Sequence, residues 1–139
     1  MAVLFPLEVH TPYRLFFSDS VEAIVLTLID GEAGIYANHA SFTSPVVPCL
    51  LKIKTKDGKW KTAFTAEGIL EVKRHKTIIV SDAAEWPAEI DYERAKAAKG
   101  KAEKILEWGM LKFEIEAATA ALRRANTRIR AINEGLEKA

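Results

Sequence analysis

Apolar residues change their period once along this chain, near residue 90. Before that point, short runs rich in β-branched residues alternate with turn signals, as expected of strands that each bury one face. Residues 21–29 form the clearest such run. In residues 49–55, Leu51, Ile53 and Thr55 alternate with Leu50, Lys52 and Lys54. Lys56-Asp57-Gly58-Lys59 then predicts a hairpin turn, because Asp-Gly readily adopts positive φ. Residues 60–65 return, and 69–73 with 77–81 predict a second hairpin around Arg74-His75-Lys76. Several short strands at this spacing predict a β-sandwich or barrel over residues 1–89, since each strand has only one apolar face to bury.

From residue 90 the pattern is helical. Asp91 is placed to cap a first helix, and Ala95, Ala98, Ala102 and Ile105 recur at helical spacing behind it. Trp108-Gly109-Met110 interrupts the run, with Gly109 suited to a left-handed C-terminal cap. Leu111, Ile115, Ala118, Leu122, Ala125, Ile129, Ile132 and Leu136 then alternate at spacings of four and three, predicting a helix about 40 Å long. The expected class is therefore β + α: an N-terminal β-sandwich, then an antiparallel two-helix hairpin over residues 90–139. The first helix's stripe is mostly alanine, which removes little apolar area from water. Such a hairpin is marginal alone and reads as a moving part.

A hydrophobic fraction of 49% and a charged fraction of 28% are those of a globular chain. Net charge is +1 but unevenly placed. Residues 1–89 carry 9 Lys/Arg against 11 Asp/Glu, and residues 90–139 carry 11 against 8, so the two parts stand at −2 and +3. The single cysteine, Cys49, excludes an intrachain disulfide and suits a reducing compartment. The first residues lack the basic and long apolar regions of a signal peptide. No apolar stretch approaches the roughly 20 residues needed to cross a bilayer, so membrane association is expected only through a partner.

Independent catalysis finds no support. His10, His39 and His75 are scattered without metal-ligand spacing, and no G-x-S-x-G, G-x-x-x-x-G-K-[ST] or G-x-G-x-x-G occurs. Arg123, Arg124, Arg128 and Arg130 lie between Glu116 and Glu134 with no acid among them. A solvated helix face is one reading. Nucleic-acid binding is another, weakened because no aromatic follows Phe113 to stack on bases. A compact anion site is a third: Arg124 and Arg128 share a helix face and can converge on phosphate oxygens. Arg94 can join them from the first helix, leaving Ile90 and Asp91 for a base, although Asp91 also has the simpler role of a cap.

Three segments together resemble the epsilon-subunit family of bacterial F-type ATP synthases. Asp30-Gly31-Glu32-Ala33-Gly34-Ile35-Tyr36-Ala37-Asn38-His39-Ala40 is similar to a G-E-x-G-I-(Y/L)-P-G-H loop. Glu67-Gly68-Ile69-Leu70-Glu71-Val72 is similar to a G-(F/I)-L-E-V strand, and Ile90-Asp91-Tyr92-Glu93-Arg94-Ala95 to the I/L-D-x-x-R-A motif associated with ATP binding. Ala37, Asn38 and Ser41 depart from the loop's usual Pro, Gly and Pro.

The resemblance implies a rotor subunit at the cytoplasmic face of the bacterial plasma membrane, peripheral and held there by the complex. Its head would bind the gamma subunit and the c-subunit ring. Its hairpin would lie folded or extend into the alpha/beta catalytic hexamer to restrain ATP hydrolysis. No cofactor is required, and ATP is implied as a regulatory ligand of the folded hairpin. Ile90, Asp91 and Ala95 would border adenine, Glu85 the ribose, and Arg94, Arg124 and Arg128 the phosphates, with Lys101 assisting. Glu32 and His39 would lie in the loop facing the ring. The apolar stretch 108–113 is unusual and suits extra packing or a partner contact. A stand-alone nucleotide-sensing regulator is the alternative from the same arginines.

Overall fold

The computed structural model describes residues 3–138, with side chains described through Gly135. The expected stripe member Leu136 and the first two residues therefore lie outside the described side chains. Two compact units divide between Trp86 and Pro87, against the 89/90 division drawn from the sequence.

Nine strands build the first unit: β1 (Phe5–His10), β2 (Leu15–Leu28), β3 (Gly31–Tyr36), β4 (Phe42–Val46), β5 (Cys49–Thr55), β6 (Trp60–Thr65), β7 (Gly68–Val72), β8 (Thr77–Ser81) and β9 (Ala84–Glu85). The predicted β5, β6 and β8 have the expected ends, and β7 is displaced by one residue. The β5–β6 turn has the expected chemistry: Gly58 takes φ +78° and its N–H donates to Thr55 O at 2.9 Å. The segment 30–40 is not all loop, because Gly31–Tyr36 pairs along β2 as a strand.

Long β2 explains the two layers. Its first half pairs with β1, and its second half pairs with β3 on one flank and β5 on the other. The register against β5 shifts between Val21 and Ala23, a bulge that increases local twist and lets one strand serve both sheets. One layer runs β2–β1–β8–β7–β4, and the other β3–β2–β5–β6–β9. Alternate side chains from both layers meet in the core: Leu7, Val9, Ile24, Leu26, Leu51, Ile53, Leu70 and Ile79 are at most 1% exposed. Each such side chain contributes roughly 1.5–3 kcal/mol relative to exposure.

β1 alternates strictly as Phe5, Leu7 and Val9 inward, yet contains Pro6, which argues against a central strand. Pairing with β8 is parallel and begins only at Leu7, so Pro6 stands beside an open flank. Glu8 bridges this pair: it accepts from Lys76 Nζ of the β7–β8 turn at 2.9 Å and meets His10 Nε2 at 2.8 Å. Hydrogen bonds from His10, then Lys76, hold its carboxyl below the usual carboxylate range. Trp86 closes the head by stacking on Phe16 at 4.6 Å, with Lys61 Nζ 5.5 Å from its ring centre.

The second unit starts with a 3-10 turn at Pro87–Glu89, then α1 (Tyr92–Trp108) and α2 (Lys112–Lys138). Asp91 is the α1 N-cap, its Oδ1 accepting the Arg94 N–H at 3.0 Å. Gly109 does not form the expected left-handed cap. Its φ is −68°, and its N–H donates to Ile105 O at 2.6 Å. Glycine serves space here, since a Cβ would collide with that same carbonyl oxygen.

Ala95 and Ala102 of α1 and Ala118 and Ala125 of α2 are buried. The rest of the predicted stripe is less covered: Leu122, Ile129 and Ile132 are half-buried, while Ala98, Leu111 and Ile115 are exposed. Small alanines let the helices approach closely, but the seam does not reach the turn, where Trp108, Leu111 and Phe113 stay exposed.

Candidate functional site

Helix geometry decides which cations share a level on the hairpin. At ~1.5 Å per residue, Arg94 stands about 21 Å before the end of α1. Arg124 and Arg128 stand about 18 and 24 Å past the start of α2, so the returning helix brings both to the level of Arg94. Arg124 and Arg128 are half-buried, whereas Arg123 and Arg130 on the same helix are exposed. The run of four arginines thus splits into two half-buried and two exposed, and the half-buried pair is the one whose spacing of four put it on one helix face.

The other expected nucleotide contacts lie around α1. Asp91 is exposed and its cap bond already occupies one carboxylate oxygen. Ile90 is half-buried, its N–H donating to Pro87 O at 3.2 Å, and Ala95 is buried. Arg94 is exposed in the first turn. Lys101 is exposed two turns further on and lines a groove between α1 and α2 together with Arg124. Arg94, Arg128 and Asp91 are not among that groove's walls. Glu85 belongs to the head, half-buried in β9 opposite Phe64.

The expected partner-facing residues sit on β3 and the turn after it. Among the described residues β3 pairs only with β2, as an edge strand, with Glu32 exposed opposite Thr27. His39 is exposed, its Nδ1 lies 2.8 Å from Ala40 O, and its ring centre is 5.1 Å from that of Phe42. Asn38 takes φ +63° in this turn. Asn is one of the few residues besides glycine that tolerates this region, so Asn38 accommodates a left-handed turn without glycine.

The apolar stretch 108–113, expected to serve extra packing or a partner contact, forms the turn between the helices. There Trp108 and Phe113 are 75% and 68% exposed and wall the same groove as Lys101, Lys104 and Arg124.

A β-sandwich followed by a helical hairpin of net positive charge is the two-part, β + α class of protein expected from the sequence. Comparison with known proteins narrows this class. Residues 4–87 match the ATP synthase delta/epsilon chain beta-sandwich domain, and residues 88–133 match the ATP synthase delta/epsilon chain long alpha-helix domain. An ATP synthase epsilon chain of Caldicellulosiruptor bescii is 52% identical over 134 residues, covering 96% of this chain and 97% of its own. One from Caldanaerobacter subterraneus subsp. tengcongensis is 48% identical over 127 residues, covering 91% of each.

A chain in a cryo-EM structure of Euglena gracilis mitochondrial ATP synthase (OSCP, F1 and c-ring) superposes with a TM-score of 0.81 at 20% identity, covering 95% of this chain and 83% of its own. At that identity it shows the fold alone.

This chain belongs to the ATP synthase delta/epsilon family, among its epsilon chains. It is accordingly a non-catalytic subunit of ATP synthase.

Proposed function

We propose that this subunit forms part of the central stalk, its head binding the gamma subunit and the c-subunit ring while its hairpin regulates ATP hydrolysis. The observation that carries this reading is the match of both units, in order, to epsilon chains over nearly the whole length. A likeness to a central stalk and c-ring assembly of Tetrahymena thermophila ATP synthase, with a TM-score of 0.61 at 14% identity, agrees in fold. The subunit then sits at the cytoplasmic face of the membrane through the complex. Among the described residues no helix is long and apolar enough to span a bilayer.

Division of labour follows from the two units. The head has its own core, so residues 1–89 are expected to bind gamma without the hairpin. Affinity capture of gamma by a chain ending at Glu89 tests this, and a folded head that captures none refutes it. The hairpin is held by small side chains and bears a net cationic charge, which suits exchange between a folded state and acidic surfaces of the alpha/beta hexamer. Removing residues 90–139 is expected to raise hydrolysis by the assembled enzyme while assembly persists. Unchanged hydrolysis would leave the subunit purely structural.

ATP is the regulatory ligand in this reading, with Arg94, Arg124 and Arg128 facing phosphates, Lys101 assisting, and Ile90, Asp91 and Ala95 toward the nucleoside. Support comes from the shared level of the three arginines and the half-burial of Arg124 and Arg128. Extension of the hairpin would separate Arg94 from the other two, so only the folded state holds the whole set.

A further inference from the structure

We propose that the groove near the turn of the hairpin binds an amphiphilic anion of the fatty-acid class, apolar chain inward and acid at the rim. The groove has a volume of about 800 Å³, within the roughly 300–1,000 Å³ of small-molecule sites. Its walls are aliphatic and aromatic, with Ile105, Trp108, Phe113 and Ala117 beside a floor of the small buried side chains Ala102 and Ala118. Trp108 and Phe113 remain largely exposed, an unusual state for two neighbouring large aromatics on a soluble surface.

The polar groups of the rim choose the ligand. Lys101, Lys104 and Arg124 line the groove against one carboxylate, Glu114. Lys101 and Lys104 make no ion pair among the described residues, so their charge is available to a ligand. An apolar body with an anionic head satisfies both features. A cationic amphiphile would meet the like charges of Lys101 and Lys104, and a second copy of this chain would bring the same cationic rim to the same groove. The alkyl stems of the two lysines can also lie along the ligand chain while their ammonium groups stay in water.

Titration of the full-length chain with sodium laurate below its micelle concentration tests this by calorimetry and tryptophan emission. Saturable binding at one site is expected, with dodecyltrimethylammonium, which has the same chain and a cationic head, at least about tenfold weaker. Lys104→Glu is expected to weaken laurate about tenfold by turning an attraction into a repulsion. Ala117→Leu, at an exposed wall position, is expected to abolish binding by filling the groove while far-ultraviolet circular dichroism stays unchanged. Trp108→Phe should remove the emission change but keep the heat, placing the ligand beside Trp108. Equal affinity for the two head groups overturns the proposal. So does laurate binding indifferent to both Lys104→Glu and Ala117→Leu, no saturable heat at all, or a groove that takes an amphipathic helical peptide and no laurate.

Discussion

Gly68→Ala is expected to destabilise the head by about 3 kcal/mol, the upper range for a forced overpacking. Gly68 opens β7 opposite Ser81 of β8. A Cβ there would collide with the Val80 carbonyl oxygen and lie 2.8 Å from Ser81 Cα. Both are backbone atoms, so relief requires moving a strand that also pairs with β1 rather than turning a side chain. Gly100→Ala is the control. It lies inside α1 with nothing within 4 Å of the added carbon, and is expected to stabilise by about 1 kcal/mol through helix propensity. Urea denaturation of the two variants beside the parent measures both changes, and a Gly68→Ala midpoint at the parental value refutes the steric reading.

The second large effect concerns ATP. Arg128→Ala is expected to weaken ATP binding to the isolated subunit at least about tenfold, because hydrogen bonds to charged groups contribute roughly 1.5–3 kcal/mol each. Arg130→Ala, on the same helix but exposed, is expected to bind as the parent does. ATP can favour the folded hairpin only by binding it better than the extended one. At 100 times its dissociation constant that preference is worth about 2.7 kcal/mol, enough to reverse a modest bias. Asp91→Ala reports less cleanly, since it also removes the α1 cap. Isothermal titration decides: parental affinity in Arg128→Ala, or no binding by the parent at millimolar ATP, reduces these arginines to a structural face.

Local chemistry was legible where it acts over a few residues. Alternation set β5, Asp57-Gly58 set the turn after it and so the returning β6, and Asp91 set the start of α1. The change from period two to period 3.6 separated sheet from helix, because each element must present one apolar face whatever covers it. The cationic composition of the hairpin was legible in the same way.

Only the tertiary structure decided what depends on neighbours distant in sequence. β1 was hidden by Pro6, whose missing N–H is tolerable only because β8 pairing starts one residue later. Residues 31–36 became a strand because β2 offered its free edge, and β2 itself could serve two sheets only through its bulge. Gly109 was placed correctly as a breaker but not in conformation, since the Ile105 carbonyl, not a left-handed φ, demanded glycine there. The helical stripe predicts a seam from residue 111 to 136, yet Leu111, just before α2, and Ile115 stay exposed. Periodicity determines which face of a helix is apolar, but burial requires a partner surface at the same level. Near the turn that surface is missing: Trp108 of α1 and Phe113 of α2 stay largely exposed, and a groove remains.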